Sequence, residues 1–197
     1  MSGNAYDSFD DPYCYKGSFV LKNRAGLRDA DALEGFELEM SSLRAEEPLP
    51  EGNFDPEHYC AVHRHLFQDV YVWAGRYRAV RTAKDGNLFC YPEHVASQMV
   101  GLFGRLNDTS FLPGAAVPVF VKAVAHFLGE LNAIHAFREG NGRTQLSYLY
   151  LIGLRAGRRF ELARVLTEPM LSAMIGSFHG QFAALEVVLQ ELLIDPA

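Results

Sequence analysis

The sequence predicts a mainly α-helical fold, a helical bundle carrying one short β-hairpin, on three observations. Apolar residues recur at three-and-four spacing through most of the chain. Aspartate and proline stand where helix caps and first turns belong, and only residues 80–90 combine a turn signal with strand-like flanks. At 197 residues and 49% hydrophobic the chain can bury one sizeable core, so 1–197 is read as a single domain, the first ten residues or so being expected to be flexible.

In chain order, the first helix is expected over roughly 29–45, followed by a loop at 46–52 marked by Pro48, Pro50 and Gly52. Asp55-Pro56, a cap and first-turn pair, opens a second helix that passes Leu66 and ends near Tyr71. Asp85-Gly86 is a two-residue turn signal, and its flanks pair as a hairpin that leaves Leu88 or Phe89 partly exposed. Pro92-Glu93 starts a third helix through Val95, Met99, Phe103 and Leu106. Pro118 opens a fourth, with Phe120, Val121, Val124, Phe127, Leu128, Leu131 and Ile134 on one face, so that His135 sits near the end of a core helix. A fifth runs from about Gly142 through Leu146, Leu149 and Ile152 and stops at Gly157. Amphipathic spacing gives two more, at 167–176 and about 178–193. There are no internal repeats, low-complexity tracts or linkers long enough to divide domains.

The corner between the fourth and fifth helices carries the chemistry. From His135 to Arg143 it places a base, a carboxylate, a glycine-rich turn and a cation within nine residues. Gly140 and Gly142 free the backbone for positive φ and close approach, so that successive N–H groups at a helix start can converge on phosphate oxygens. Asn141 tolerates left-handed geometry and carries a side-chain amide; Glu139 is a hard oxygen ligand of the kind Mg²⁺ takes together with substrate phosphates and waters. Arg143 offers a planar fork to a phosphate or to a neighbouring carboxylate, and both remain open. An imidazole titrates near neutrality, which suits His135 as a general base towards a hydroxyl, while Phe137 points into the core and pins the loop. Gly-Asn-Gly alone is an ordinary helix cap; the density of specified positions around it is what points to a reaction.

This run resembles the signature of Fic-domain proteins, His-x-Phe-x-(Asp/Glu)-Gly-Asn-(Gly/Lys)-Arg-x-x-Arg, which His135, Phe137, Glu139, Gly140, Asn141, Gly142 and Arg143 match in place. Tyr13-x-Tyr15, Val20-Leu21-Lys22-Asn23, Leu27-Arg28-Asp29 and the stretch 63–75 also look like the compact bacterial Fic toxins, so the resemblance covers nearly the whole chain. It implies a Fic fold and AMP transfer from ATP to a Ser, Thr or Tyr hydroxyl of a target protein. His135 would deprotonate the hydroxyl, Glu139 would hold Mg²⁺ bridging the α- and β-phosphates, and the backbone of Gly140, Asn141 and Gly142 would form the anion hole. Asn141 would help orient the α-phosphate and Arg143 would contact phosphate. The hairpin residues Arg81, Thr82, Ala83, Lys84, Asp85, Gly86, Asn87 and Leu88 correspond to a flap that aligns the target backbone as an added strand.

Two positions depart from the pattern. The usual Pro after the His is Ala136, which removes a φ constraint but no chemical group. The last Arg of the signature, which in the family steadies the γ-phosphate and partners an inhibitory glutamate, is Leu146. Loss of a charge-assisted bond to phosphate would cost ~1.5–3 kcal/mol. Three readings follow: a slow enzyme, which is preferred; compensation by another cation such as Arg138; or a donor that needs no γ-phosphate contact. Beside AMP transfer stand two alternatives, a related enzyme that uses another phosphate-containing donor or removes AMP, and a catalytically weakened binding protein. The family's inhibitory pattern, (Ser/Thr)-x-x-x-Glu-(Gly/Asn), has only a near match in residues 30–35, where Glu34-Gly35 lacks the leading hydroxyl and reads as part of the first helix. The resemblance therefore implies a separate small antitoxin, and it makes type II topoisomerase subunits candidate targets.

Composition narrows the rest. A net charge of −6 disfavours nonspecific nucleic-acid binding. No apolar run is expected to span a membrane, and the start Met1-Ser2-Gly3-Asn4 lacks a secretory leader, so cytoplasmic residence is expected. Cys14, Cys60 and Cys90 are odd in number and widely spaced, which fits reduced thiols rather than a disulfide frame or zinc site. His63 and His65, two apart on a helix, face different ways and are not read as metal ligands.

Overall fold

The structure, a computed structural model, describes residues 11–84 and 86–194. Asp85 of the expected turn, the N-terminal stretch expected to be flexible and the start Met1-Ser2-Gly3-Asn4 lie outside the described residues. The described chain is mainly helical, as its apolar periodicity predicts, with seven α-helices and short antiparallel pairs among the described residues. It falls into two compact units, one made of the described residues up to Ala96 together with His135–Thr144, the other of Ser97–Ile134 and the described residues from Gln145 onward.

The first unit is built on α1 (Ala30–Ala45) and α2 (Pro56–Phe67), which pack together. Both starts follow from cap chemistry: Asp29 Oδ1 accepts the Ala32 N–H at 2.9 Å, and Asp55 Oδ1 accepts the His58 N–H at 2.8 Å, with Pro56 at the first helical position. The buried stripe of α1 is Leu33, Glu37 and Ser41, and that of α2 includes Tyr59, Val62, His63, Leu66 and Phe67. A charged group and a histidine thus sit in core register. Helix α2 stops at Phe67 rather than near Tyr71, where the chain tightens into a turn in which the Val70 N–H donates to the Phe67 carbonyl three residues back (3.0 Å). The hairpin expected between 80 and 90 is present as β1 (Ala83–Lys84) and β2 (Asn87–Leu88), in antiparallel register Ala83↔Leu88 and Lys84↔Asn87. Gly86 has φ +81°, which the tight turn requires, and Leu88 is 60% exposed, as expected for the hairpin.

The second unit contains α3 (Pro92–Gly104) from Ser97 on, α4 (Val117–Ile134), α5 (Asn141–Arg155) from Gln145 on, α6 (Thr167–Phe178) and α7 (Ala183–Leu192). Its core is α4, which packs against α6 and α7 and buries Phe120, Val124, Phe127, Leu128 and Leu131. At Gly129 an added Cβ would lie 2.7 Å from the Phe182 ring, so glycine is what admits that ring. Against the expectation from sequence, α4 is long and apolar enough to cross a membrane (18 residues, mean hydropathy 1.3), but half of it is buried within the fold, as in a core helix. The last expected helix starts five residues late, at Ala183, because a turn with Gly180 at φ +79° separates it from α6. Gly157, at φ +67°, ends α5 as the sequence predicts. A pair not anticipated from the sequence joins β3 (Arg159–Phe160) to β4 (Leu193–Ile194), Arg159 opposite Ile194.

Candidate active site

All motif residues from His135 to Thr144 belong to the first unit. Ile134 ends α4, and His135 follows with φ +49°, the left-handed conformation that histidine visits more readily than most residues. Its carbonyl accepts Arg78 Nε at 2.7 Å, and its half-buried ring stacks on Phe89 with centroids 3.8 Å apart and planes 8° from parallel. Phe89 follows β2 directly, so the hairpin supplies one wall of the histidine.

The loop beyond is held at every residue. Ala136 O accepts the Arg78 N–H at 2.9 Å. Phe137 is fully buried, stacked on His63 at 3.8 Å and on Tyr59 at 5.4 Å, which is the pinning role its position predicts. Asn141 Oδ1 accepts the Phe137 N–H at 3.0 Å and Asn141 Nδ2 donates to Phe137 O at 2.8 Å. That buried amide closes the loop through one accepted and one donated bond, and its second N–H leaves a donor for the phosphate contact expected of it. Glu139 O accepts from His63 Nε2 at 3.0 Å; the Gly75 N–H donates to His63 Nδ1 at 2.8 Å, which assigns the proton to Nε2. Burial pushes His63 down to about 3, so it is neutral and acts as a fixed donor.

The two glycines differ. Gly140 has φ +79°, and an added Cβ would sit 2.4 Å from the Phe67 ring, so the position excludes any side chain. Gly142 lies within α5, is exposed, does not have positive φ, and an added Cβ there would meet nothing within 4 Å. Its expected conformational role is thus overturned: the bare backbone matters there because it leaves the start of α5 open to solvent. The first N–H groups of an α-helix lack intrahelical acceptors and carry its positive dipole end, so the first turn of α5 is suited to an anion. Thr144 Oγ1, buried, fixes the turn by donating to Gly140 O at 2.8 Å.

Charge is arranged around one carboxylate. Glu139 is half-buried, its Oε1 accepting the Gly140 N–H at 2.9 Å. Its carboxyl is held above the ordinary range, first by burial and next by the carboxylate of Glu37, against the lowering effects of the Gly140 N–H, Arg143 and Arg138. Of the two partners open to Arg143, the fold supplies the carboxylate. It pairs with Glu37 Oε1, donates to Ser41 Oγ at 2.8 Å and lies over the Phe67 ring at 4.8 Å. Glu37 also accepts from the Tyr71 hydroxyl, whose ionisation is pushed well up by burial and then by Glu37. The compensating role considered for Arg138 is not supported, since that guanidinium is buried and bound to Asp11 at 2.7 Å. Leu146, half-buried in the second turn of α5, brings no cation.

Among the described residues no three His, Cys, Asp or Glu side chains converge as a metal cage. Magnesium does not need one: it binds through one or two carboxylates plus phosphates and waters. A carboxyl whose ionised form is disfavoured by burial and by a second acid, beside an open helix start, fits that mode, because a bound cation would reverse both penalties.

In the flap region Thr82 is buried, Arg81 lies over the Tyr91 ring at 4.2 Å, and Lys84 and Leu88 are exposed. For two of the residues that sequence reasoning missed, periodicity carried a signal of burial. Glu37 falls four residues from both Leu33 and Ser41, and His63 falls between Tyr59 and Phe67, each a polar group in a buried stripe.

Residues 53–152 match the model of the Fic/DOC family. A probable protein adenylyltransferase, y4lH, of Sinorhizobium fredii is 43% identical over 189 residues, covering 95% of this chain and 98% of that protein. A probable protein adenylyltransferase Fic of Salmonella typhimurium is 32% identical over 94% of this chain and 93% of its own length. Among solved structures, the BepC effector protein of Bartonella tribocorum with bound AMPPNP superposes with a TM-score of 0.85 at 22% identity, covering 97% of this chain and all of that one, which supports the fold.

Proposed function

This chain belongs to the Fic/DOC family, and from that premise we propose that it is a nucleotidyltransferase that moves AMP from ATP onto a hydroxyl side chain of a target protein. The observation that carries this reading is the near full-length likeness, 43% identical, to a relative named as a probable protein adenylyltransferase. We read 1–197 as one functional Fic domain on the same ground, since the likeness runs across both compact units.

His135 takes the proton of the target hydroxyl as its oxygen attacks the α-phosphorus; the O–P bond forms, the bond to the β-phosphate oxygen breaks, and pyrophosphate leaves. Phe89 and the Arg78-bound carbonyl hold the imidazole for this step. The N–H groups at the start of α5 receive the negative charge that grows on the α-phosphate oxygens, a contribution of position and charge rather than covalent chemistry. Magnesium, when bound, would neutralise charge on the α- and β-phosphates, and Glu139 would hold it. The flap that carries the β1–β2 hairpin, residues 81–88, would take the target backbone as an added strand and bring its hydroxyl to His135.

The finer assignments rest on the resemblance. The reading is a bacterial toxin acting in the cytoplasm without direct contact to nucleic acid or membrane, with type II topoisomerase subunits as candidate targets. Inhibition by a separate antitoxin is favoured because Glu34-Gly35 lacks the leading hydroxyl of the inhibitory pattern and Glu34 is exposed on α1. Leu146 favours one second reading, in which the donor is a different phosphate ester or the reaction removes AMP; mass spectrometry of products from a panel of donors separates the two.

The direct test is a bacterial lysate given Mg²⁺, α-phosphate-labelled ATP and wild type, His135→Ala or Leu146→Arg. Label on a protein band with wild type and none with His135→Ala is expected. Absence of label with both wild type and Leu146→Arg overturns AMP transfer.

A further inference from the structure

We infer that Arg78 is a positioning residue that couples the flap to the base, so that docking a target on the hairpin and aiming His135 are one mechanical event; this rests on the roles proposed above for residues 81–88 and His135. The side chain is 2% exposed and its three nitrogens all end on backbone carbonyls. Nε donates to His135 O at 2.7 Å, Nη1 to Val80 O at 2.6 Å and Nη2 to Cys90 O. Its own backbone N–H donates to Ala136 O at 2.9 Å. Val80 lies just before β1 and Cys90 just after β2, so one planar group grips both legs of the hairpin and the carbonyl of the base residue.

A second connection runs in parallel, since Phe89, on the leg that returns from β2, stacks on the His135 ring. His135 is also the residue whose left-handed backbone needs outside support, and its carbonyl is fixed by Arg78. The guanidinium suits the task because its donors form a rigid fork, whereas the single ammonium of lysine cannot meet three carbonyls in those directions. A shift of the hairpin legs therefore moves the histidine's carbonyl and ring together. Loss of Arg78 acts on the approach of hydroxyl to base, hence on turnover, and leaves the nucleotide contacts at the start of α5 in place.

The test compares full-length wild type, Arg78→Lys and Phe89→Leu by hydrogen exchange of peptides spanning 80–90 and 134–138, by calorimetric titration with Mg-ATP, and by initial rate of transfer at saturating ATP. Expected for Arg78→Lys are faster exchange in both peptides together, unchanged ATP affinity, and turnover lower by about 10- to 100-fold. Phe89→Leu, which leaves the buried charge alone, gives a smaller loss of the same kind. Faster exchange in only one peptide, turnover equal to wild type, or a loss of ATP binding that tracks turnover in both variants overturns the coupling. A wild type that labels no protein sinks the adenylyltransferase reading instead, and the paired exchange still decides whether Arg78 links the two segments.

Discussion

Acid should unlock the motif loop through His63. This imidazole, buried among Phe137, Phe67 and Trp73, holds the Glu139 carbonyl through Nε2 and takes the Gly75 N–H on Nδ1. Burial lowers it from 6.5 to about 3, and the bond to the Glu139 carbonyl offsets only part of that. Because the folded chain binds this proton less readily than the unfolded chain, the stability from a neutral His63 is complete above about pH 6.5 and drains away as pH falls towards about 3. At about 1.36 kcal/mol per pH unit the full window corresponds to about 5 kcal/mol, against a total of about 5–15 kcal/mol for an ordinary domain. The assay is urea unfolding at several pH values between 7.5 and 4.5 for wild type and His63→Gln, the latter keeping an amide N–H for Glu139 but nothing that titrates. At neutral pH the variant is less stable, having lost ring packing; below pH 6.5 the gap should close by about 2–3 kcal/mol over two units. Glu139 works in the opposite sense, since its raised carboxyl favours the folded chain in acid, but it is present in both proteins and cancels from the difference. Stability curves that run parallel from pH 6.5 to 4.5 would refute a neutral, load-carrying His63.

Gly140→Ala should lose about 2–5 kcal/mol in thermal or urea unfolding, from the left-handed backbone and the clash with Phe67, whereas Gly142→Ala, helical and open, should be neutral or gain up to about 1 kcal/mol; equal losses would contradict the contrast between them. Glu139→Gln should raise Tm at pH 7.5 and much less at pH 4.5, because the ionised carboxyl is disfavoured in the fold and wild-type stability falls as pH rises through its raised value; an equal gain at both pH values would assign the effect to something other than charge. Leu146→Arg should lower the ATP concentration for half-maximal transfer by about tenfold or more, read from initial rates, and an unchanged ATP dependence would remove the γ-phosphate argument.

What the sequence made legible was local. Asp29 and Asp55-Pro56 announced helix starts, Gly157 a stop and Asp85-Gly86 a hairpin, because each acts within a few residues of itself. The same locality explains the misses. Phe178, Phe182, Leu185 and Leu189 keep helical spacing straight across the Gly180 turn, so periodicity ran two elements together. At the site, the residue types in 135–143 named the chemistry, but not which groups meet. The Asn141 amide turned out to close its own loop, and Arg143 found Glu37 106 positions earlier in the chain. Arg78 and His63 reach the motif across 57 and 76 positions, and only the folded chain brings them there.

The lock on Arg143 has a consequence for transplanting this site. Glu37 and Ser41 belong to α1, outside residues 53–152 that match the family model. A recombinant fragment trimmed to those limits would keep every motif residue and discard the carboxylate and hydroxyl that hold the guanidinium. Grafting the activity onto another scaffold, or splitting the chain into complementing halves, must therefore carry the first helix along, although nothing in the motif itself advertises the need.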